Sequence, residues 1–442
     1  MGHLVGKTLY KRLSVNIDNM GFPIAGNQAF FAVLRHLYSE TEASIVIQLP
    51  YRLSSLQQIE KLTKISCPKL EHYLEKLCFK GLVIDIWVED QYLYMPSPYA
   101  VGIFEFTFMK TGPDADIRTI AKLFHEYHLS FTKGDRSSEN RKRTKKPLPS
   151  IGIMRTIPYE EHIARDAYVE VLDYEKASAI VEQSGDKMAI SHCSCRHQKY
   201  HAGTKECDHP LQTCSSFGWM ADFVIRRGLG TPVTKTQMLE NIARSKELKL
   251  VLNADNVKQN ITFICHCCKC CCHTLKNMRL CGYPNIVVTS TLISKVDEKK
   301  CIGCGLCAEA CPVDAIKMVP TGDKKKKKKP VLDQEMCLGC GICAQTCKTD
   351  AVLLDKREQR VIHPENTYER ILLQSLRNGK LQHQLFPNPQ QITHKAMRGI
   401  LGAFLRLDPV KRGLMSDILR SRFLSAIKTT TTIFGASRSW PE

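Results

Sequence analysis

Apolar residues recur at helical spacing over 27–39, where Phe30, Phe31, Leu34 and Leu37 share one side. Residues 43–49 have strand character. Ser54 or Ser55 is placed to cap a helix through Ile59 and Leu62, and a break at 65–67 leads to a second helix over 69–80 carrying Leu70, Tyr73, Leu74 and Leu77. Residues 82–87 alternate as a strand, Glu89 and Asp90 turn, and 92–95 returns beside it. A helix over 117–127 precedes 132–149, which is polar, basic and ends in proline, the composition of a loop. Helices then follow over 174–183, 216–227 and 237–246, with strands at 188–192, 261–264 and 285–292. The segment 364–442 reads as helical. Met397, Leu401, Phe404 and Leu405 line one face, and Leu414, Ile418, Leu419, Phe423 and Ile427 continue it beyond Asp408–Pro409. Arg398, Arg406, Lys411, Arg412, Arg420 and Arg422 occupy the other side.

This pattern predicts an α+β multidomain chain: a helix–turn–helix–hairpin unit (26–113), a connector with a basic loop (114–173), a cysteine-rich α/β domain (174–294), a small domain at 296–355 and a helical tail (364–442). A hydrophobic content of 43% over 442 residues suffices for several cores. No apolar stretch reaches the length of a membrane span, and residues 1–13 lack the long apolar core of a secretory signal, so a cytoplasmic chain is expected. Twenty-one clustered cysteines in such a chain read as metal sites rather than disulfides.

Eight of those cysteines carry most of the chemistry. Cys301, Cys304, Cys307 and Cys311, followed by Pro312, are spaced C-x-x-C-x-x-C-x-x-x-C, and Cys337, Cys340, Cys343 and Cys347 repeat that rhythm. Two-residue gaps let one short loop wrap a cubane, and Gly303, Gly305, Gly339 and Gly341 allow the close approach. The fourth cysteine of each run lies past its loop, where a short helix is expected to begin with Pro312 at its first position, and it ligates the other cluster. One [4Fe–4S] set is therefore Cys301, Cys304, Cys307 and Cys347; the other is Cys337, Cys340, Cys343 and Cys311. A pair of zinc sites is the alternative, but zinc seldom uses this rhythm. The stretch resembles the two-cluster bacterial ferredoxins, which implies a ferredoxin-like fold and one-electron transfer. Lys348 stands where a second proline is usual, and the lysine run 324–329 is inserted between the motifs.

The middle domain carries a second dense thiol group. Cys193, Cys195, Cys207 and Cys214 form one expected ligand set, with His192, His197, His201 and His209 interleaved. Cys267, Cys268, Cys270, Cys271 and Cys272 supply another or a shared one. Thiolates this close need a neutralising cation or cluster; one or two further [4Fe–4S] clusters lead, and a zinc site with His ligands is the alternative. Arg196 and Lys269 lie inside the ligand runs, placed to offset negative charge. Cys67 and Cys78 read as small packed residues. The motifs H-C-S-C-R at 192–196 and C-H-C-C-K-C-C-C at 265–272, with the two ferredoxin runs, resemble multidomain 4Fe–4S proteins of strictly anaerobic bacteria and archaea.

The formal charge of +19 is concentrated in blocks at 141–146 and 324–329. Such blocks are solvated loops, or they speed docking to an acidic redox protein or oxidoreductase complex; nucleic acid is a further partner class, and the basic tail offers contact with a membrane surface. The order of 26–113 resembles winged-helix DNA-binding domains in pattern. Its second helix offers Lys69, His72 and Lys76 but also Glu71 and Glu75, and no arginine, which suits docking better than groove reading. Gly228 and Gly230 lack the setting of a dinucleotide fingerprint. The expected function is single-electron transfer, to or from an anaerobic oxidoreductase; the alternative is an iron–sulfur redox-sensing transcriptional regulator.

Overall fold

The computed structural model describes residues 2–109, 116–133, 151–168, 171–281, 286–322, 327–358 and 361–433. The loop expected at 132–149 and the basic block within it lie almost wholly outside those residues, as does much of the lysine run.

The N-terminal unit surrounds one apolar core. Helices Gln28–Leu37, Glu40–Val46, Leu56–Thr63 and Cys67–Phe79 pack on a three-stranded antiparallel sheet. Its strands β1 (Ser54–Ser55), β2 (Val83–Val88) and β3 (Gln91–Pro96) stand in the order β1-β3-β2. Glu89 and Asp90 both take positive φ, as a two-residue hairpin turn requires. The strand expected at 43–49 is instead helix. Ser39 Oγ accepts from Glu42 N (3.3 Å) while the Glu42 carboxylate accepts from Ser39 N (2.8 Å). That capping box starts the helix before the β-branched run is reached, and Ala43, Ile45 and Val46 are buried by it. Two flanking helices complete the core. In Gly2–Asp18, Tyr10 Oη donates to Tyr38 O (2.8 Å); in Ile117–Lys133, Tyr127 stacks on Phe30 at 4.8 Å.

The middle domain is a seven-stranded sheet built from β4 (Met154–Ile157), β5 (Met188–His192), β6 (Gln212–Phe217), β7 (Thr231–Pro232), β8 (Val251–Asp255), β9 (Phe263–Cys267) and β10 (Val287–Val288). The order is β10-β4-β8-β9-β6-β5-β7, antiparallel except between β10 and β4. Every residue of β4 and β8 is buried, so both faces are covered. β4 comes from the stretch read as a connector, and 212–217 is strand where the reading began a helix at 216. Asp85 of β2, with no exposed surface, joins the two units: its carboxylate meets Arg226 at 2.6 Å and Arg227 at 2.8 Å.

The small domain has an internal pseudo-repeat. β11 (Leu292–Val296) opens the first repeat and pairs with β14 (Val352–Lys356), which closes the second; β12 (Ile316–Pro320) closes the first and pairs with β13 (Lys328–Leu332), which opens the second. Asp297 N donates to Ala351 O and Asp333 N to Ala315 O, both at 2.7 Å. Each repeat is thus finished by the other. No helix begins at Pro312: the helices Leu306–Ala310 and Ile342–Gln345 precede the fourth cysteines, and positive φ at Asp314 and Asp350 turns the chain directly into β12 and β14.

The tail docks by its first half. Leu372, Leu373 and Leu376 of helix Thr367–Arg377 are buried with Ile151, Arg370 Nε meets Asp255 at 3.0 Å, Asn378 Nδ2 donates to Gly21 O (2.7 Å) and Lys380 pairs with Asp18. Helices Ile392–Leu405, Asp408–Leu414 and Asp417–Ile433 follow, leaving Ile392, Ile400 and Ile418 largely exposed. Among the described residues no helix is long and apolar enough to cross a membrane.

Candidate metal centres

Each ferredoxin-type loop is launched by an aspartate. Asp297 Oδ1 accepts from Lys299 N (2.9 Å) and Asp333 Oδ1 from Glu335 N (3.1 Å), while Cys301 N and Cys337 N donate to the aspartates' own carbonyls at 3.0 and 3.1 Å. Gly303, Gly305, Gly339 and Gly341 all take positive φ, between 70° and 88°. Cys337, Cys340 and Cys343 line one cavity with Cys311, which arrives from the other repeat. Cys301, Cys304 and Cys307 lie near one another, and Cys347 packs in the apolar cluster of Cys307. Amides are aimed at sulfur. Ala315 N donates to Cys311 Sγ at 3.2 Å, and although burial opposes it, the amides of Thr349, Ala351 and Val352 hold Cys347 below the usual thiol range. Burial pushes Cys343 up to about 12 in the thiol form. Four sulfurs with convergent amides fit a thiolate-bound iron–sulfur cluster.

The two loops differ in exposure. Cys304 and Ile302 are exposed, whereas 337–344 are buried throughout. The second loop sits against the middle domain, where Tyr159 N donates to Cys340 O (3.0 Å) and Ser290 N to Leu338 O (3.0 Å), and within its own domain Arg357 Nη2 donates to Cys337 O (2.7 Å).

Residues 300–351 match the family described as the 4Fe-4S dicluster domain. No curated protein and no solved structure matches the chain. The matched stretch holds all eight cysteines with β12 and β13, and leaves the paired strands β11 and β14 outside it.

In the middle domain β5 and β9 run the same way with β6 between them, which gathers the end of β5, the start of β6 and the end of β9 at one sheet edge. Cys193 follows β5, Cys214 lies in β6, and Cys265 and Cys267 lie in β9. The structure regroups the expected ligands. Cys207 leaves Cys193, Cys195 and Cys214 and joins Cys268, Cys270 and Cys271, all four sulfurs within 4.8 Å of one another. Cys195 instead contacts Cys272, Cys272 contacts Cys267, and Cys265 touches both Cys267 and Cys214. Cys265, absent from the expected ligands, is part of this second chain of thiols; its place in the run C-H-C-C-K-C-C-C was the available signal. None of the described cysteines forms a disulfide. Burial raises Cys193 to about 11. Cys268 is pulled down by thiol hydrogen bonds from Cys270 and Cys271.

Three of the four interleaved histidines serve elsewhere, while His209 lies near Cys268 and Arg196. His197 meets His201 at 2.8 Å and Phe108 O at 2.8 Å, and His192 packs edge-on against His197. His273 stacks on His128 at 3.8 Å beneath the N-terminal helices. Glu105, which sequence reasoning missed, is a half-buried residue whose carboxyl is pushed up to about 7 by desolvation, with Cys272 nearby.

Proposed function

We propose that the chain is an iron–sulfur electron-transfer protein that exchanges electrons with an external redox partner through its exposed dicluster loop. The observation that carries this reading is the asymmetry of the two loops. When bound, a [4Fe–4S] cluster supplies one-electron chemistry. The loop of Cys301, Cys304 and Cys307 presents Ile302 at 61% exposure, and exposed Lys299 and Lys300 precede it in the chain, next to exposed Asp297 and Glu298, so a partner meets it through a mixed-charge rim around an apolar tip. The loop of Cys337, Cys340 and Cys343 excludes water and faces the cysteine-rich sheet. Cys311 and Cys347 cross between the repeats and hold the two sites close together. Acceptance of electrons at the outer loop and delivery toward the middle domain follows from that arrangement, as does the opposite flow.

The strand and helix order of 28–96 supports a winged-helix reading for the N-terminal unit, serving as a scaffold. Its second helix gives Glu75 to Arg227 (2.5 Å) and its hairpin gives Asp85, so both elements that would meet DNA lean on the middle domain. A regulator would bind a defined promoter roughly a thousandfold or more above random DNA.

The test is anaerobic purification with iron and sulfide analysis and EPR of the reduced chain. We expect at least about eight irons per chain with matching labile sulfide, and rapid electron exchange with an oxidoreductase. Colourless protein without labile sulfide would end the proposal.

A further inference from the structure

The sulfurs of Cys207, Cys268, Cys270 and Cys271 are closer together than packing explains. Cys268–Cys270 is 3.6 Å, Cys270–Cys271 3.7 Å and Cys207–Cys271 3.7 Å, with every pair inside 4.8 Å. These spacings are far too long for a disulfide, whose sulfurs stand about 2.05 Å apart. They agree with the edge of a sulfur tetrahedron around one ion: a metal–sulfur bond of about 2.3 Å gives an edge of about 3.8 Å. A cubane binds each thiolate to a different iron and holds its outer sulfurs wider. The dicluster sulfurs behave that way, since among the described residues no other three potential ligands converge within 4.8 Å.

The surroundings agree. The local apolar cluster consists of these four cysteines with only Leu248 and Leu250, a poor core on hydrophobic grounds. Four thiolates on a divalent ion carry a net charge of about −2, and buried cations stand beside them. Arg196 has no exposed surface; its Nη1 donates to His266 O (2.9 Å), and its guanidinium also reaches Cys268. Lys199, 3% exposed, is within electrostatic reach of Cys271. Amides of Glu206 and Cys271 point at the sulfurs of Cys271 and Cys268.

We infer that Cys207, Cys268, Cys270 and Cys271 hold one tetrahedral thiophilic cation, zinc by class, in a closed structural site. The four cysteines give up their thiol protons to solvent as the ion binds; no electron moves. The ion ties the 202–211 loop to the 268–272 turn, 64 residues apart at Cys207 and Cys271. That turn in turn grips the dicluster domain. Lys269, between two of the ligands, meets Asp314 at 2.7 Å and donates to Glu309 O (3.1 Å), on either side of Cys311. The site therefore braces the dicluster domain without carrying current.

The test uses the full chain, purified anaerobically, with zinc and iron measured in wild type, Cys207→Ser, Cys270→Ser and Cys304→Ser. We expect about one zinc per wild-type chain, bound by four sulfurs at about 2.3 Å in zinc-edge X-ray absorption. Cys207→Ser and Cys270→Ser should lose zinc at least tenfold while keeping iron and the reduced EPR signal; Cys304→Ser should lose iron and keep zinc. Wild type without zinc, or zinc with a metal neighbour in its absorption spectrum, overturns the proposal. Loss of about four irons in Cys207→Ser or Cys270→Ser with zinc unchanged also overturns it and assigns a cluster instead. The absorption measurement needs no variant, so misfolded substitutions leave the proposal testable. Zinc retained in a chain lacking iron would sink the electron-transfer reading and leave this one standing.

Discussion

Substituting Gly339 by alanine should strip the inner cluster site, whereas the same change at Gly305 in the outer loop should not. Both glycines hold left-handed backbone, at φ +70° and +87°. A side chain costs roughly 1–2 kcal/mol there on conformational grounds alone. At Gly305 that is the whole cost, because a new Cβ meets nothing closer than Met318 Cγ at 3.8 Å. At Gly339 the Cβ would lie 2.2 Å from both Leu292 O and Ser290 Oγ. The loop must move off β11, breaking the buried bond from Ser290 Oγ to Gly339 O (2.9 Å). Ser290 Oγ keeps Leu292 N (3.2 Å), but leaving the Gly339 carbonyl unpaired adds roughly 1–3 kcal/mol. If cluster loss proceeds through local opening, Gly339→Ala should open about 5- to 150-fold more than Gly305→Ala, at 1.4 kcal/mol per tenfold. The assay is anaerobic bleaching of the visible absorbance in excess chelator, with residual iron counted by EPR. Equal bleaching rates, or faster loss from Gly305→Ala, would refute the reasoning.

Three further outcomes follow. Cys311→Ser should remove about four irons from the site of Cys337, Cys340 and Cys343, leaving the EPR signal of the outer site; an even loss from both sites would contradict the crossed assignment. Asp85→Ala should cost about 3 kcal/mol, the lower end for a broken buried ion pair. Arg226 keeps Asp222 (2.7 Å) and Arg227 keeps Glu75 (2.5 Å); an unchanged denaturant midpoint would count against this seam between the first two units. His363 and His383, at the tail's seam with the body, are held near 3 and 4 by burial, then by Arg155 and Arg398 respectively. Both sit below their ordinary 6.5, so the stability they lend is complete above that value and is lost as pH falls through it toward their folded values. Protease resistance of 367–433 should therefore drop between pH 6.5 and 4, less so in His383→Gln; resistance unaltered down to pH 4 would refute it.

The dicluster cysteines were legible because their chemistry is local: one loop supplies three sulfurs, and spacing alone reports it. The middle thiols were not. Proximity in sequence joined Cys207 to Cys193, Cys195 and Cys214, but the sheet order β9-β6-β5 sends the chain after Cys207 back along the edge where the 268–272 turn waits. Only strand pairing, which involves residues some 50 positions apart such as Ser215 and Ile264, reveals that convergence. The helix Glu40–Val46 was hidden for a different reason: Ile45, Val46 and Ile47 suggest a strand, and a two-bond cap at Ser39 outweighs them. The pairing of β11 with β14 was invisible too, since the paired residues lie some 60 positions apart and neither strand differs in pattern from a hairpin arm.

The joining of residue 380 to residue 18 has a bearing on how the protein is made. Synthesis runs from the amino end, and at roughly 5–20 residues per second the ribosome needs roughly 1–6 s to travel from the last dicluster residue to Lys380. For that interval Asp18 and Gly21 lack their partners from the tail, while every cysteine has already been polymerised. Metal insertion can thus precede the final clasp, and a nascent chain that stalls within this window would hold its sulfur ligands with its first helix still unfastened.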